Sequence, residues 1–103
     1  MIRVARITDK HEGICDHGAP CCPHNVSGPI VEGSPNVITN GLLQARDGDL
    51  VHHDCPHCGV GWIVASSEVV FVNNKKIARL GDVVTYPGGS GVIVESSPNV
   101  FAG

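Results

Sequence analysis

The residues able to do chemistry in this chain are its six histidines and five cysteines, and all of them fall between positions 11 and 58. Imidazole and thiolate are the donors that zinc takes in tetrahedral sites. Two of the groups repeat a phrase. Cys22-Pro23-His24 stands before Gly28 at the same distance as Cys55-Pro56-His57 stands before Gly61. If symmetry relates the two segments, the triplets meet near its axis and offer two sulfurs and two imidazoles. His52 and Cys58 are close rivals, so the candidate ligands are Cys22, His24, His52, Cys55, His57 and Cys58. His11, Cys15, His17, Cys21 and His53 are further candidates, because one site uses about four ligands. A single histidine here reads as a solvated loop residue and a single cysteine as a small buried hydrophobe. The cluster in two related segments reads as metal.

The expected metal is one structural zinc. Mixed sulfur and imidazole donors favour zinc over iron. A catalytic zinc keeps an open position and a base nearby. These segments instead offer excess ligands and few acids, namely Glu12, Asp16 and Asp54. Structural zinc binds small peptides with about 10–16 kcal/mol, enough to decide whether such loops are ordered. Cys58 beside His57 is a conceivable nucleophile and base, but no orienting third group accompanies it, so no enzyme is expected. An odd number of cysteines and no signal peptide argue against a disulfide framework.

The elements that hold these segments are repeated. Gly28-Pro29-Ile30-Val31-Glu32-Gly33-Ser34-Pro35-Asn36-Val37 returns at 61–70 and again at 91–100. Ala45-Arg46-Asp47-Gly48-Asp49 returns as Ala78-Arg79-Leu80-Gly81-Asp82, with Ala5-Arg6-Ile7-Thr8-Asp9 as a degenerate first copy. Units this short bury their apolar faces only against one another. Three of them in one small chain predict a closed, pseudo-threefold body over residues 1–103, a single domain. Ile30-Val31, Ile63-Val64 and Ile93-Val94 are expected as strands. Their expected partners are Val37-Ile38-Thr39, Val69-Val70-Phe71-Val72 and Val100-Phe101. Asn40-Gly41 signals a hairpin turn, with Asn73-Asn74 in its place in the second unit. Segments 10–27, 50–60 and 83–90 are expected as loops that emerge together at one end.

Composition sets further bounds. Aromatics are 4% of the chain, so Val and Ile must fill a small core, and both favour strands. Trp62 is expected as a wall of that core. Arg6, Arg46 and Arg79 each stand three residues before an Asp and are expected to clamp it rather than form a binding ring. The net charge of −3 gives no footprint for nucleic acid. Residues 1–6 carry no apolar run of signal-peptide length, so synthesis in the cytoplasm without the general secretion route is expected.

With Gly33-Ser34-Pro35-Asn36-Val37, Ser96-Ser97-Pro98-Asn99-Val100, Asn40-Gly41, the two Ala-Arg-x-Gly-Asp phrases and the Cys/His-rich segments, the chain resembles PAAR-repeat proteins. The resemblance spans nearly the whole chain. It implies an all-β cone of three hairpin repeats, with metal-binding loops and a zinc near the apex held by histidines and cysteine. Such proteins cap the trimeric β-helical spike of type VI secretion systems and contractile phage tails, one tip per trimer. They sharpen the spike that pierces the target membrane, and some carry effector cargo. By resemblance this chain is the bare tip, leaving the cell through an injection apparatus or as part of a phage tail. Pro-Ala-Ala-Arg itself is replaced by Leu43-Gln44-Ala45-Arg46 and Lys76-Ile77-Ala78-Arg79, and segment 83–90 has Tyr86 but no Cys or His. The rival expectation is a small zinc-dependent binding module for a nucleic acid or a regulatory partner. Scarce aromatics and the negative charge oppose the nucleic acid.

Overall fold

The computed structural model describes residues 2–15, 24–53 and 60–103, with Cys15 and His24 described through their backbones. These residues form strands and no helix. The strands are β1 (Ile2–Arg3), β2 (Lys10–Cys15), β3 (His24–Pro29), β4 (Ile38–Thr39), β5 (Leu42–Leu43), β6 (Leu50–Val51), β7 (Gly61–Val64), β8 (Phe71–Val72), β9 (Lys75–Lys76), β10 (Val83–Tyr86), β11 (Gly89–Ile93) and β12 (Phe101–Ala102). The body measures 40 × 24 × 22 Å.

Three alanines cross the middle. Ala5 N–H donates to the Ala78 carbonyl at 2.9 Å, Ala78 to Ala45 at 3.1 Å, and Ala45 back to Ala5 at 3.2 Å. The ring closes on itself, and all three methyls are fully buried. Each alanine opens an Ala-Arg-x-x-Asp corner, from which the chain enters one long hairpin. The hairpins β2–β3, β6–β7 and β10–β11 join side by side into an antiparallel sheet ordered β3-β2-β11-β10-β7-β6. A bridge between Ile30 and Val51 ties its two edges together. Ile30, Ile63 and Ile93 each donate to the carbonyl of their corner Asp9, Asp49 and Asp82, at 2.9, 3.0 and 3.0 Å. Their side chains are buried in one core with the three alanines. Burying an isoleucine contributes about 1.5–3 kcal/mol.

On the other side of the alanine ring lie three short ladders. β4 and β5 turn through Asn40-Gly41, and β8 and β9 through Asn73-Asn74. Both residues of each turn have φ between 51° and 81°. That is the geometry of a type I′ hairpin, which Asn and Gly tolerate. The third ladder pairs β1 with β12, so the two ends of the chain supply it together. Inside, Gln44 takes the place that Val4 and Ile77 hold in the other units. Its amide donates to the Ala5 and Ala45 carbonyls at 2.7 and 3.0 Å and accepts from Thr39 Oγ1 at 2.7 Å. A buried polar group is tolerated when bonded in this way.

The fold is the expected all-β body, but its pairing differs from the sequence reading. The Ile-Val pairs do not form hairpins with the apolar runs that follow them. Ser34 Oγ accepts from Asn36 and Val37 N–H, and Ser97 Oγ likewise from Asn99 and Val100 N–H. These are corners that pass the chain out of the large sheet, so the run after each corner starts a new ladder. The segments expected as loops are in part strands: β2, β6, β10 and most of β3 lie within them. Trp62 is not a wall of the core. It is 42% exposed on β7, because its neighbours Gly61 and Ile63 face inward and a strand alternates its sides.

The arginines do clamp. Arg46 donates to Asp49 from its backbone N–H (2.7 Å), Nε (3.0 Å) and Nη2 (2.9 Å). This hydrogen bonding to Asp49 raises the Arg46 pKa further above its ordinary value, against the effect of burial. Arg6 and Asp9 repeat the arrangement. In the third corner Ser66 Oγ intervenes, accepting from Arg79 Nη2 and donating to Asp82 Oδ1, both at 2.7 Å. The direct Arg79–Asp82 contact then lengthens to 3.9 Å.

Two predictions follow from the corners. Losing one partner of a buried ion pair costs about 3–5 kcal/mol. Asp49→Ala should therefore lower stability by that order in urea unfolding, and Asp82→Ala by less, since Arg79 retains Ser66; equal losses would contradict the ranking. The second concerns Thr8, whose φ of 73° matches Gly48 (82°) and Gly81 (86°) in the other corners. A β-branched residue in that region is strained. Thr8→Gly should stabilise the chain by about 1 kcal/mol, and an unchanged or lower melting temperature would refute the strain.

Candidate functional site

The inner side of the large sheet carries equivalent positions from each unit. Two residues beyond the corner aspartates stand His11, Val51 and Val84; four residues beyond stand Gly13, His53 and Tyr86. His11 is fully buried. Its Nε2 lies 2.7 Å from the His52 carbonyl oxygen. A carbonyl only accepts, so Nε2 carries the proton of this bond. A fixed acceptor on one ring nitrogen is the usual way a metal-binding histidine is oriented.

His52 and His53 point to opposite sides, as alternation requires. His52 is exposed and gives the interior only its carbonyl, whereas His53 is half-buried. The His11 and His53 ring centroids are 6.4 Å apart and nearly perpendicular. Two imidazoles sharing a tetrahedral zinc hold their centroids roughly 5 Å apart. Imidazole is a donor that zinc takes, and these two would make up about half of a four-ligand set. Tyr86, 3% exposed, packs against both rings, at 4.8 Å from His53 and 6.0 Å from His11.

Of the sequence candidates, Cys22, Cys55, His57 and Cys58, with His17 and Cys21, lie outside the described residues. The backbones of Cys15 and His24 stand opposite each other at the outer end of β2 and β3. Among the described residues no set of three metal-ligating side chains converges. What the fold brings together is His11 and His53, both further candidates from sequence, and Tyr86, which carried no metal signal. Position parity is the signal that marks them: an even step from the corner aspartate faces inward. On the outer surface, β2, β3 and β11 frame an open depression of about 540 Å³, lined by Glu12, Ile14, Asn25, Ser27, Val92 and Val94.

The opposite end has different chemistry. Ser34 and Asn36 of the first unit bond to the Asn73 side chain of the second. Ser97 and Asn99 of the third bond to Asn40 of the first. Ser67 of the second bonds to the Gly103 carbonyl. Turn side chains thus tie all three units at their rims. Outside the ties, the ladders present Ile38 (64% exposed), Phe71 (55%) and Phe101 (45%), one per unit at equivalent places. These three side chains repeat with the symmetry of the body.

An all-β body with internal threefold order is the architecture that the repeats implied. The family model described as PAAR motif matches residues 1–59, and the chain belongs to that family. PAAR-motif proteins are a structural family associated with spike tips. No curated protein matches the chain.

Proposed function

We propose that this chain is the tip of a contractile injection machine, of the type VI secretion or phage-tail kind. It caps a trimeric β-helical spike, one tip per trimer, and sharpens it for passage through a target envelope. The observation that carries this reading is the placement of Ile38, Phe71 and Phe101 on three equivalent ladders. A monomer with internal threefold order offers each chain of a true trimer a similar face. The unpaired edges of these short ladders suit the end of a β-helix, and covering them removes an aggregation hazard.

One structural zinc is proposed for the opposite end. His11 and His53 would hold it, with the remaining donors from among Cys22, His24, Cys55, His57 and Cys58. Bound there, the ion would cross-link the hairpins of the first two units and stop them opening separately. The role is mechanical, with no reaction assigned. Effector cargo and transient contact with the pierced membrane belong to the same reading, as does export through the apparatus rather than a signal peptide.

Two measurements test it. Phe71→Glu, combined with Phe101→Glu, should abolish a complex of one tip with three spike chains, read by native mass spectrometry, while leaving the isolated fold intact. Survival of the complex would refute docking through this face. Elemental analysis should find about one zinc per chain, falling to near zero in His11→Leu, which keeps the volume but has no donor nitrogen. A metal-free folded wild type, or full zinc in the variant, would refute the proposed centre.

A further inference from the structure

The layer that holds His53 is unevenly filled. Threefold order puts Gly13, His53 and Tyr86 at equivalent positions on β2, after β6, and on β10. A Cβ built on Gly13 would lie 2.4 Å from both the Ser90 carbonyl oxygen and the Tyr86 hydroxyl oxygen, and 2.6 Å from Gly91 Cα. The phenol end and the β11 backbone together occupy the space that the first unit's side chain would need. Three large side chains do not fit the layer, and the sequence solves this with one absent side chain and two rings. The two rings lie 4.8 Å apart, tilted by 40°.

We propose that Tyr86 is a positioning residue for the metal centre: its ring, admitted by Gly13, holds the His53 imidazole toward His11, and the third unit supplies no ligand. The inference rests on the zinc reading above. Each histidine then has its own orienting neighbour. For His11 it is the His52 carbonyl at 2.7 Å, and for His53 it is the Tyr86 ring. The two constraints are joined, because His52 and His53 share a peptide bond. Fixing that peptide sets both the acceptor for His11 and the origin of the His53 side chain. A half-buried imidazole at the end of a two-residue strand has rotamers that lead outward, and a packed aromatic face removes them. A neighbour that orients a ligand typically changes metal affinity by about 10–100-fold.

Cobalt(II) is the probe, because its visible absorption reports the number and geometry of its ligands. The full chain is stripped of metal, titrated with cobalt, and then competed with a chelator. Tyr86→Leu is expected to weaken cobalt binding by about tenfold or more and to alter the absorption bands. Tyr86→Phe, which keeps the ring, is expected to restore both. A role in core filling alone would lower the stability of the metal-free leucine variant yet leave the cobalt spectrum unchanged. That outcome overturns the proposal, as does a phenylalanine variant no better than leucine. If Tyr86→Leu fails to fold, Tyr86→Met takes its place in the same comparison. A wild-type chain that takes up no cobalt overturns the zinc reading itself, and this is seen before any variant is compared.

Discussion

The closed ring of backbone hydrogen bonds through Ala5, Ala45 and Ala78 is the constraint from which the rest of the body follows. Each peptide donates to one neighbour and accepts from the other, with no edge left over. Three backbones that approach this closely leave room on the axis for methyl groups and little more. The arginine that follows each alanine cannot turn inward, so it folds back on the aspartate three residues later. That contact turns the chain into the long hairpins. Ring and corners together set where three hairpins begin, and hence that they lie side by side as one sheet.

Threefold order in the backbone does not impose threefold chemistry on the side chains. Below the ring, Gln44 and Thr39 form a satisfied polar pair where the other units have Val4, Ile77, Val72 and Ala102. Above it, His11 takes a place that Val51 and Val84 hold in the other units. The substitutions are tolerated because each polar group finds a fixed partner within its layer. A repeated scaffold with a small core can in this way carry different chemistry at its two ends. One part gathers imidazoles and a phenol inside the large sheet, and another displays apolar side chains outside a set of serine and asparagine bonds.

Much was legible from the residues alone. The repeats gave three units, the scarcity of aromatics and helical periodicity gave an all-β body, and Asn40-Gly41 and Asn73-Asn74 marked two hairpin turns. The Ala-Arg-x-x-Asp spacing marked the clamps. These are local signals, each set within a few residues by backbone preference or by the reach of a side chain. The pairing of strands was not legible in the same way. An apolar run followed by Ser-Pro-Asn and another apolar run reads as a hairpin. Whether the chain doubles back or leaves for another ladder depends on which distant backbone is waiting for it, as Arg3 is for Phe101.

The sequence by itself determined that imidazole and thiolate donors gather in the first two units, because ligand chemistry is a property of residue type. Only the tertiary structure decided that His11 and His53 face each other while His52 turns outward. Inward and outward alternate along a strand, so a one-residue difference in register reverses every side chain. That register is set by the corners at Asp9 and Asp49, two and four residues before these histidines, and by the alanine ring beneath them.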